Sequence, residues 1–504
     1  MLNVLFITAD QWRGECLGVA GHPVVKTPNL DAFAADATTF RSHYANAAPC
    51  SPARATLYTG LYQMTNRVVR NGSPLSARFD NIAKAARRIG YSPTLFGYTD
   101  QSADPTVLPP GDPWLRTYEG VLPGFDVRVR LPEDEKAWLS WLRKQGLDFA
   151  TPQLAHLPVR DVGKVSNAPP AYGKDRTQTA FLADEFIRWL GEQDAPWFAH
   201  LSLLRPHPPF IVPEPYNTMF SPDEVGGFRR ADTVAGEAAV HPLVQFALAS
   251  TPLASFIPGA SGLVADLSDA EFRQIKATYF GMIAEVDAQL GRVFAAVRAA
   301  GDWDNTLVVF MSDHAELMGD HHLLGKGGYH DQGQHVPLII RSPEAGGRGN
   351  LVDAITEHVD LYPTLLEIIG ATSSQIGDGR SLTPFLNGVE PGGWRDAAHW
   401  EFDFRDVSTQ VPETTLGLNS TELNLTVIRT TKWKYVHFAA LPPLLFDLEA
   451  DPDNLKNLAN DPAYASARVE MAERLLSWRA KHLDQSLALK ELTPNGVVSR
   501  DVVR

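Results

Sequence analysis

The sequence predicts an α/β protein: a large, mostly parallel central sheet with helices on both faces, followed by a smaller α+β C-terminal subdomain. Two observations predict the first part. Short unbroken apolar runs recur along the chain, as strands buried on both faces require, and stretches with helical apolar spacing separate them. A third predicts the second part: from about residue 395 the pattern changes to short alternating strands and one closing helix.

Residues 4–8 read as the first strand. The apolar run around them has no basic flank and no small-residue cleavage site, so it is not a signal peptide. Helices follow at 30–37 and 81–89, then a strand at 94–97. Residues 104–178 are proline-rich and loop-like and read as an insertion. A helix at 179–192 leads to a strand at 197–203. The stretch 241–265 carries no Asp, Glu, Lys or Arg, but Pro242, Pro252 and Pro258 make it too broken to span a bilayer. A helix at 271–300, strands at 306–312 and 336–340 and a helix at 361–369 complete a body spanning 1–394. The subdomain, 395–504, holds strands at 423–429, 433–438 and 444–447 and a helix at 465–482.

The 504 residues carry a net charge of −14, which makes the chain a poor general binder of nucleic acid or an anionic membrane and leaves room only for a local cationic site. Cys16 and Cys50 are the two cysteines, too few for a disulfide scaffold or a Cys-rich zinc module. A cytoplasmic enzyme acting on small molecules is the expectation.

In α/β sheets, sites gather at the C-terminal ends of strands. That rule selects Asp10-Gln11, Tyr98-Thr99, His207 and Asp313-His314. The sharpest motif lies elsewhere, in Cys50-Ser51-Pro52-Ala53-Arg54. Pro52 suits the first helical position, which puts Cys50 just before a helix N-terminus, where backbone N–H groups favour an anion. Taken singly, Cys50 reads equally as a buried cysteine beside a cap, and each Asp as a turn residue. The two pairs together read as a metal site. An imidazole in the set suits Mn²⁺ or Zn²⁺ better than Ca²⁺.

With Cys-x-Pro-x-Arg, the chain resembles the sulfatase branch of the alkaline phosphatase superfamily. The likeness extends through Thr27-Pro28-Asn29-Leu30-Asp31, Ser312-Asp313-His314, Gly319-Asp320-His321 to Lys326, Val336-Pro337-Leu338, and Asp447 through Asn457-Leu458. Ala9-Asp10-Gln11-Trp12-Arg13, Arg70-Asn71-Gly72, Leu95-Phe96-Gly97-Tyr98-Thr99-Asp100 and Arg205-Pro206-His207-Pro208-Pro209-Phe210 are most similar to phosphonate monoester hydrolases and their promiscuous arylsulfatase relatives. The chain departs from the calcium sulfatases, which resemble each other in an Asp-Asp opening and an Asp-Asn second pair, at Gln11 and His314.

The resemblance implies an alkaline phosphatase-like sandwich and oxidation of Cys50 to formylglycine by a maturation system. One divalent ion, Mn²⁺ or Zn²⁺, is then held by Asp10, Gln11, Cys50 (as its oxidised oxygen), Asp313 and His314. Arg54 holds the formylglycine, Lys326 contacts the substrate anion, and His207 protonates the leaving oxygen. Asn71 and Tyr98 line the substrate site together with one of Thr99 and Asp100, of which Thr99 is taken as the candidate. His321, His322, His330 and His335 form a His-rich stretch that reads first as loop residues around the site, with His321 able to orient a ligand as the second reading. The aromatic insertion, with Trp114, Tyr118, Trp138, Trp141 and Tyr172, either roofs the pocket or fills core. The partner is a small anionic ester, and a homo-oligomer, dimer or tetramer, is expected. Hydrolysis of phosphonate monoesters and phosphodiesters ranks first, with sulfate esters handled promiscuously. An aryl or choline-type sulfatase ranks second. A phosphatase or mutase relative using unmodified Ser51 or Cys50, and a non-catalytic relative, rank last.

Overall fold

The structure is a computed structural model describing residues 1–160 and 164–499; residues 161–163 of the expected insertion and 500–504 of the expected subdomain lie outside it. Its strands are β1 (Asn3–Ala9), β2 (Thr38–Tyr44), β3 (Ala47–Ala48), β4 (Thr94–Gly97), β5 (Asp126–Arg130), β6 (Phe198–Leu203), β7 (Thr306–Met311), β8 (His335–Arg341), β9 (Asn350–Val352), β10 (Thr356–Glu357), β11 (Ala397–Asp403), β12 (Asn424–Thr430), β13 (Trp433–Phe438), β14 (Leu444–Asp447), β15 (Lys490–Thr493) and β16 (Gly496–Ser499). The principal helices are α1 (Pro28–Ala34), α2 (Cys50–Thr59), α3 (Ile82–Arg88), α4 (Gln178–Leu190), α5 (Pro242–Ser250), α6 (Asp269–Ala299), α7 (Leu361–Ile369) and α8 (Ala465–Lys481).

The large sheet runs β10-β2-β8-β7-β1-β6-β4-β5, with β9 paired to β2. Alternation along β1 sends Leu5, Ile7 and Ala9 to one face, against α1, α4 and α6, and Val4 and Phe6 to the other, against α2, α3 and α7. Both faces are therefore dry, as the unbroken apolar runs require. Every pairing in this sheet is parallel except those of β8, which runs antiparallel to β2 and β7. The 336–340 run was expected to be parallel. Residues 312–334 cross no face of the sheet by a helix but loop at the end of β7, so the chain must return in the opposite direction. Burial on both faces hides this from periodicity.

Two segments cross the expected boundaries. The 104–178 stretch supplies β5, the edge strand beside β4. Ala47 and Ala48 add a parallel strand to the five-stranded sheet β14-β13-β12-β11-β3, which otherwise belongs to the C-terminal part. That sheet packs α8 on one face through Met471, Leu475 and Trp478, and α5 on the other through Leu243, Val244 and Leu248. Among the described residues, no helix is long and apolar enough to cross a membrane.

One glycine sets the site's geometry. Gly97 ends β4 at φ 110°, and a Cβ there would lie 2.0 Å from the Ser202 carbonyl oxygen of neighbouring β6. Only glycine permits that approach, and it fixes where Tyr98 emerges.

Candidate active site

Strands β1 and β7 lie side by side, with Thr8 opposite Met311, so the residues just beyond their ends also meet. Asp10 and Gln11 follow β1; Asp313 and His314 follow β7. Helix α2 delivers Cys50 to the same point. The helix starts at Cys50 itself, two residues earlier than Pro52 suggested. Pro52 still sits in the first turn, where its missing N–H has no partner to lose.

Ligand atoms of Asp10, Cys50, Asp313 and His314 all lie within 4.8 Å of one another, and all four residues are buried. His314 Nε2 is 3.2 Å from Cys50 Sγ and 3.6 Å from Asp10 Oδ1. Its Nδ1 faces the Ala315 carbonyl at 3.3 Å, which assigns the proton there and leaves the Nε2 lone pair pointing inward. Burial holds the His314 imidazole well below its ordinary pKa, and Lys326 adds to this, so it is neutral.

This donor set fits a divalent cation. Asp10 Oδ1 is buried with no hydrogen-bond partner. Burial and the charge of Asp10 push Asp313 up to about 7, because two carboxylates this close resist ionising together. Burial also works against Asp10, but His207, His314, Lys326 and Arg54 outweigh it and hold that carboxylate low. A cation relieves the repulsion. Gln11 stands next to this set: its Oε1 accepts from Lys326 Nζ at 2.7 Å and its Nε2 donates to Glu316. The amide is thereby fixed, and one carbonyl lone pair remains for an ion.

Two fixed cations flank the set. Arg54, fully buried, donates from Nε to Asp313 Oδ2 at 2.8 Å, from Nη2 to Asp10 Oδ2 at 3.3 Å, and from Nη1 to Ser202 Oγ at 2.9 Å. Lys326 Nζ is 3.4 Å from Cys50 Sγ. Burial opposes the ammonium, but Cys50, Asp10 and Asp313 outweigh it and keep Lys326 charged.

His207 stands on the loop after β6, its Nδ1 donating to the Pro208 carbonyl at 2.7 Å. Burial, reinforced by Lys326, lowers its pKa to about 3, so the resting ring is neutral. Asn71 Oδ1 accepts from the Ser51 N–H at 3.0 Å, and its Nδ2 makes no hydrogen bond among the described residues.

Two sequence-derived assignments change, those of Tyr98 and Thr99. The Tyr98 hydroxyl faces inward: it donates to Asp10 Oδ2 and accepts from Arg54 Nη2 at 3.0 Å, so it orients a ligand residue and is not free for substrate. The Thr99 hydroxyl is consumed between the Gly120 carbonyl and the Leu122 N–H, because the chain turns inward after β4. His321 bonds Glu237 at 2.8 Å and stacks on His330 and is not among the four ligand residues, in line with its first reading as a loop residue. In the insertion, Trp138 and Tyr172 pack together with His156 as core, while Trp114 and Tyr118 border an open cavity beside Gly72.

Other residues were missed. Glu316, fully buried, receives Gln11 Nε2 and the Met318 and Gly325 N–H groups, and burial pushes it up to about 7. Gln101 Nε2 donates to the Ser51 carbonyl at 3.1 Å. Asp100, the alternative to Thr99 that the sequence left open, sits beside it at φ 50°, with a buried Oδ1 lacking a partner. A lone Glu or Gln in a loop carries no sequence signal that marks it.

The family model described as Sulfatase matches residues 2–371, and that of the N-sulphoglucosamine sulphohydrolase C-terminal region matches residues 319–481. The chain belongs to the sulfatase family. This sulfatase-family protein is similar over its full length to a crystal structure of a phosphonate monoester hydrolase of Agrobacterium radiobacter, at 58% identity and TM-score 0.98, with 100% of both chains covered. A phosphonate monoester hydrolase from Silicibacter pomeroyi is 37% identical with TM-score 0.92, covering 99% of each chain. The multifunctional alkaline phosphatase superfamily protein PehA of Trinickia caryophylli is 39% identical over 99% of both chains. The sulfatase-family protein is thus an ester hydrolase acting on P–O or S–O esters.

Proposed function

We propose that the protein hydrolyses phosphonate monoesters and phosphodiesters, with sulfate esters as side substrates, through an aldehyde made from Cys50 by a maturation system. The observation that carries this reading is the full-length likeness to a phosphonate monoester hydrolase at 58% identity. The site's chemistry supports it. Burial first, then Asp10, pushes the Cys50 thiol well above its ordinary value, so unmodified Cys50 is a neutral, weak nucleophile. The Ser51 hydroxyl is buried with no partner to act as its base. Both facts weigh against a reading in which an unmodified side chain attacks.

In this reading Asp10, Gln11, Asp313 and His314, with the oxygen at position 50, hold one divalent ion, Mn²⁺ or Zn²⁺ in preference to Ca²⁺, given the imidazole. When bound, the ion supplies Lewis acidity to the substrate anion and to position 50. A hydrated aldehyde at position 50 supplies two hydroxyls on one carbon, one to attack and one to release the product by C–O scission. Arg54 keeps α2 and both carboxylates in register. Lys326 and Asn71 Nδ2 bind the non-bridging oxygens, where negative charge develops. His207 Nε2 delivers a proton to the leaving oxygen once the anionic substrate raises its pKa.

We place the protein in a reducing, cytoplasmic compartment, which suits its unpaired cysteines. A dimer or tetramer fits the β15–β16 hairpin, which displays Leu492 and Val497 at 84% and 62% exposure and pairs with no other strand among the described residues.

The test compares kcat/KM for an aryl phosphonate monoester and an aryl sulfate with the same leaving group on one metal-loaded sample, with Cys50→Ala as background. Phosphonate preference supports the reading. Sulfate preference selects the second one, an aryl or choline-type sulfatase with the same machinery.

A further inference from the structure

The loop that carries His207 has almost no backbone donors of its own. Pro206, Pro208 and Pro209 lack an N–H, and the His207 N–H is already bonded to the Leu204 carbonyl at 3.0 Å. Side chains take over. The His207 ring closes on the Pro208 carbonyl, and Arg205 clamps the turn: its Nη1 donates to the His207 carbonyl at 2.8 Å and to the Pro209 carbonyl at 2.9 Å. One guanidinium nitrogen therefore ties together both ends of the tripeptide that presents the imidazole. Arg205 is 4% exposed and lies two residues past the end of β6, so its own backbone is anchored to the central sheet.

The guanidinium is braced in turn by the 104–178 insertion. Arg205 Nη2 lies 3.4 Å from both ring nitrogens of His156, which places it over the ring. His156 is itself fixed. Its Nε2 faces the Glu135 carboxylate at 3.0 Å, its Nδ1 faces the Tyr172 hydroxyl at 2.9 Å, and its ring stacks on Trp138. A carboxylate, an imidazole and a guanidinium are thus buried in a row that ends on the His207 backbone. Apolar side chains would fill that space without the desolvation that buried charges require. What they would not do is hold two carbonyls of a loop that is short of donors. Resting on the proton-donor role read for His207 above, we propose that Arg205 is a positioning residue: braced by His156 and Glu135, it holds the 207–209 turn so that His207 Nε2 meets the leaving oxygen. Proton transfer needs close approach and alignment, and a misplacement of about 1 Å costs up to roughly 10²-fold. A slack turn therefore does most harm where the leaving group most needs a proton.

The test measures kcat/KM on matured, metal-loaded enzyme for esters graded by leaving-group pKa, in wild type, Arg205→Met, His207→Asn and the double variant. Arg205→Met is expected to lose roughly tenfold or more with alkoxide leaving groups and far less with p-nitrophenolate, steepening the slope as His207→Asn does. In the His207→Asn background the same change should leave the slope where His207→Asn put it. An equal loss across the series, or further steepening in that background, overturns the proposal. Thermal melts check that each chain folds. Should Arg205→Met fail to fold, Arg205→Lys, which keeps the charge but not the planar fork, decides by the same criteria. A wild-type slope in His207→Asn defeats the proton-donor reading itself and the proposal with it. A steep slope in His207→Asn beside parallel lines for the Arg205 variant defeats the proposal alone.

Discussion

Arg54 Nε donates to Asp313 Oδ2 at 2.8 Å, with both side chains fully buried. This contact fastens the helix that carries Cys50 to the strand end that carries His314. The same guanidinium reaches Asp10, so one side chain balances both buried carboxylates. Removing it strands their charge. Arg54→Ala should cost about 3–5 kcal/mol in chelator-treated protein and distinctly less after metal loading, because the cation then offsets the carboxylates. Denaturant unfolding with and without metal measures this; equal losses in the two states would contradict the role given to Arg54.

His207 predicts a leaving-group effect. His207→Asn should lower kcat/KM by roughly 10²–10⁴-fold for alkoxide leaving groups and far less for p-nitrophenolate, which needs little protonation. A series of esters graded by leaving-group pKa reads this as a steeper slope in the variant. Parallel lines would remove His207 from the proton-donor role.

Imidazole in the ligand set predicts metal preference. Chelation should abolish turnover, and Mn²⁺ or Zn²⁺ should restore more of it than Ca²⁺. His314→Asp should shift the order of restoration toward Ca²⁺ and Mg²⁺, because it replaces a nitrogen donor with hard oxygen. Reconstitution assays with each ion decide this, and best restoration of the wild type by Ca²⁺ would contradict it.

Glu285 of α6 predicts a pH dependence of stability away from the site. It is 2% exposed, accepts from Thr177 Oγ1 at 2.6 Å, and burial pushes its carboxyl from the ordinary 4.5 up to about 7. Between those values the folded chain keeps a proton that the unfolded chain has released, so stability falls as pH rises. Glu285→Gln removes this loss. Its gain over wild type should be small at pH 4 and grow to on the order of 3 kcal/mol by pH 8. A gain that is the same at both pH values would show that the carboxyl is ionised in the fold.

Much of the site was legible because strand ends and one motif carry it. Asp10, Asp313 and His314 follow apolar runs that could only be buried strands, and Cys-x-Pro-x-Arg marks the helix that meets them. What was not legible lies where periodicity stops. Past Gly97 the alternation of β4 no longer sets side-chain direction, so Thr99 was assigned to the substrate when it turns into the structure, and Tyr98 was assigned to substrate when it holds Asp10. Glu316 fixes Gln11 from a loop position that looks like any other. The reversed β8 is buried on both faces and reads the same in either direction. Ala47 and Ala48 are too short a run to announce a strand, yet they join the second sheet to the segment that leads into Cys50.

The central claim is that the nucleophile is an aldehyde at position 50 and not the thiol the gene encodes. The most direct measurement pairs peptide mass spectrometry of the segment containing Cys50 with turnover on the same metal-loaded samples, prepared with graded degrees of maturation. The account predicts that kcat rises in proportion to the fraction of chains carrying the aldehyde and extrapolates to zero where every chain retains the thiol. Full activity in chains whose Cys50 is intact would contradict it.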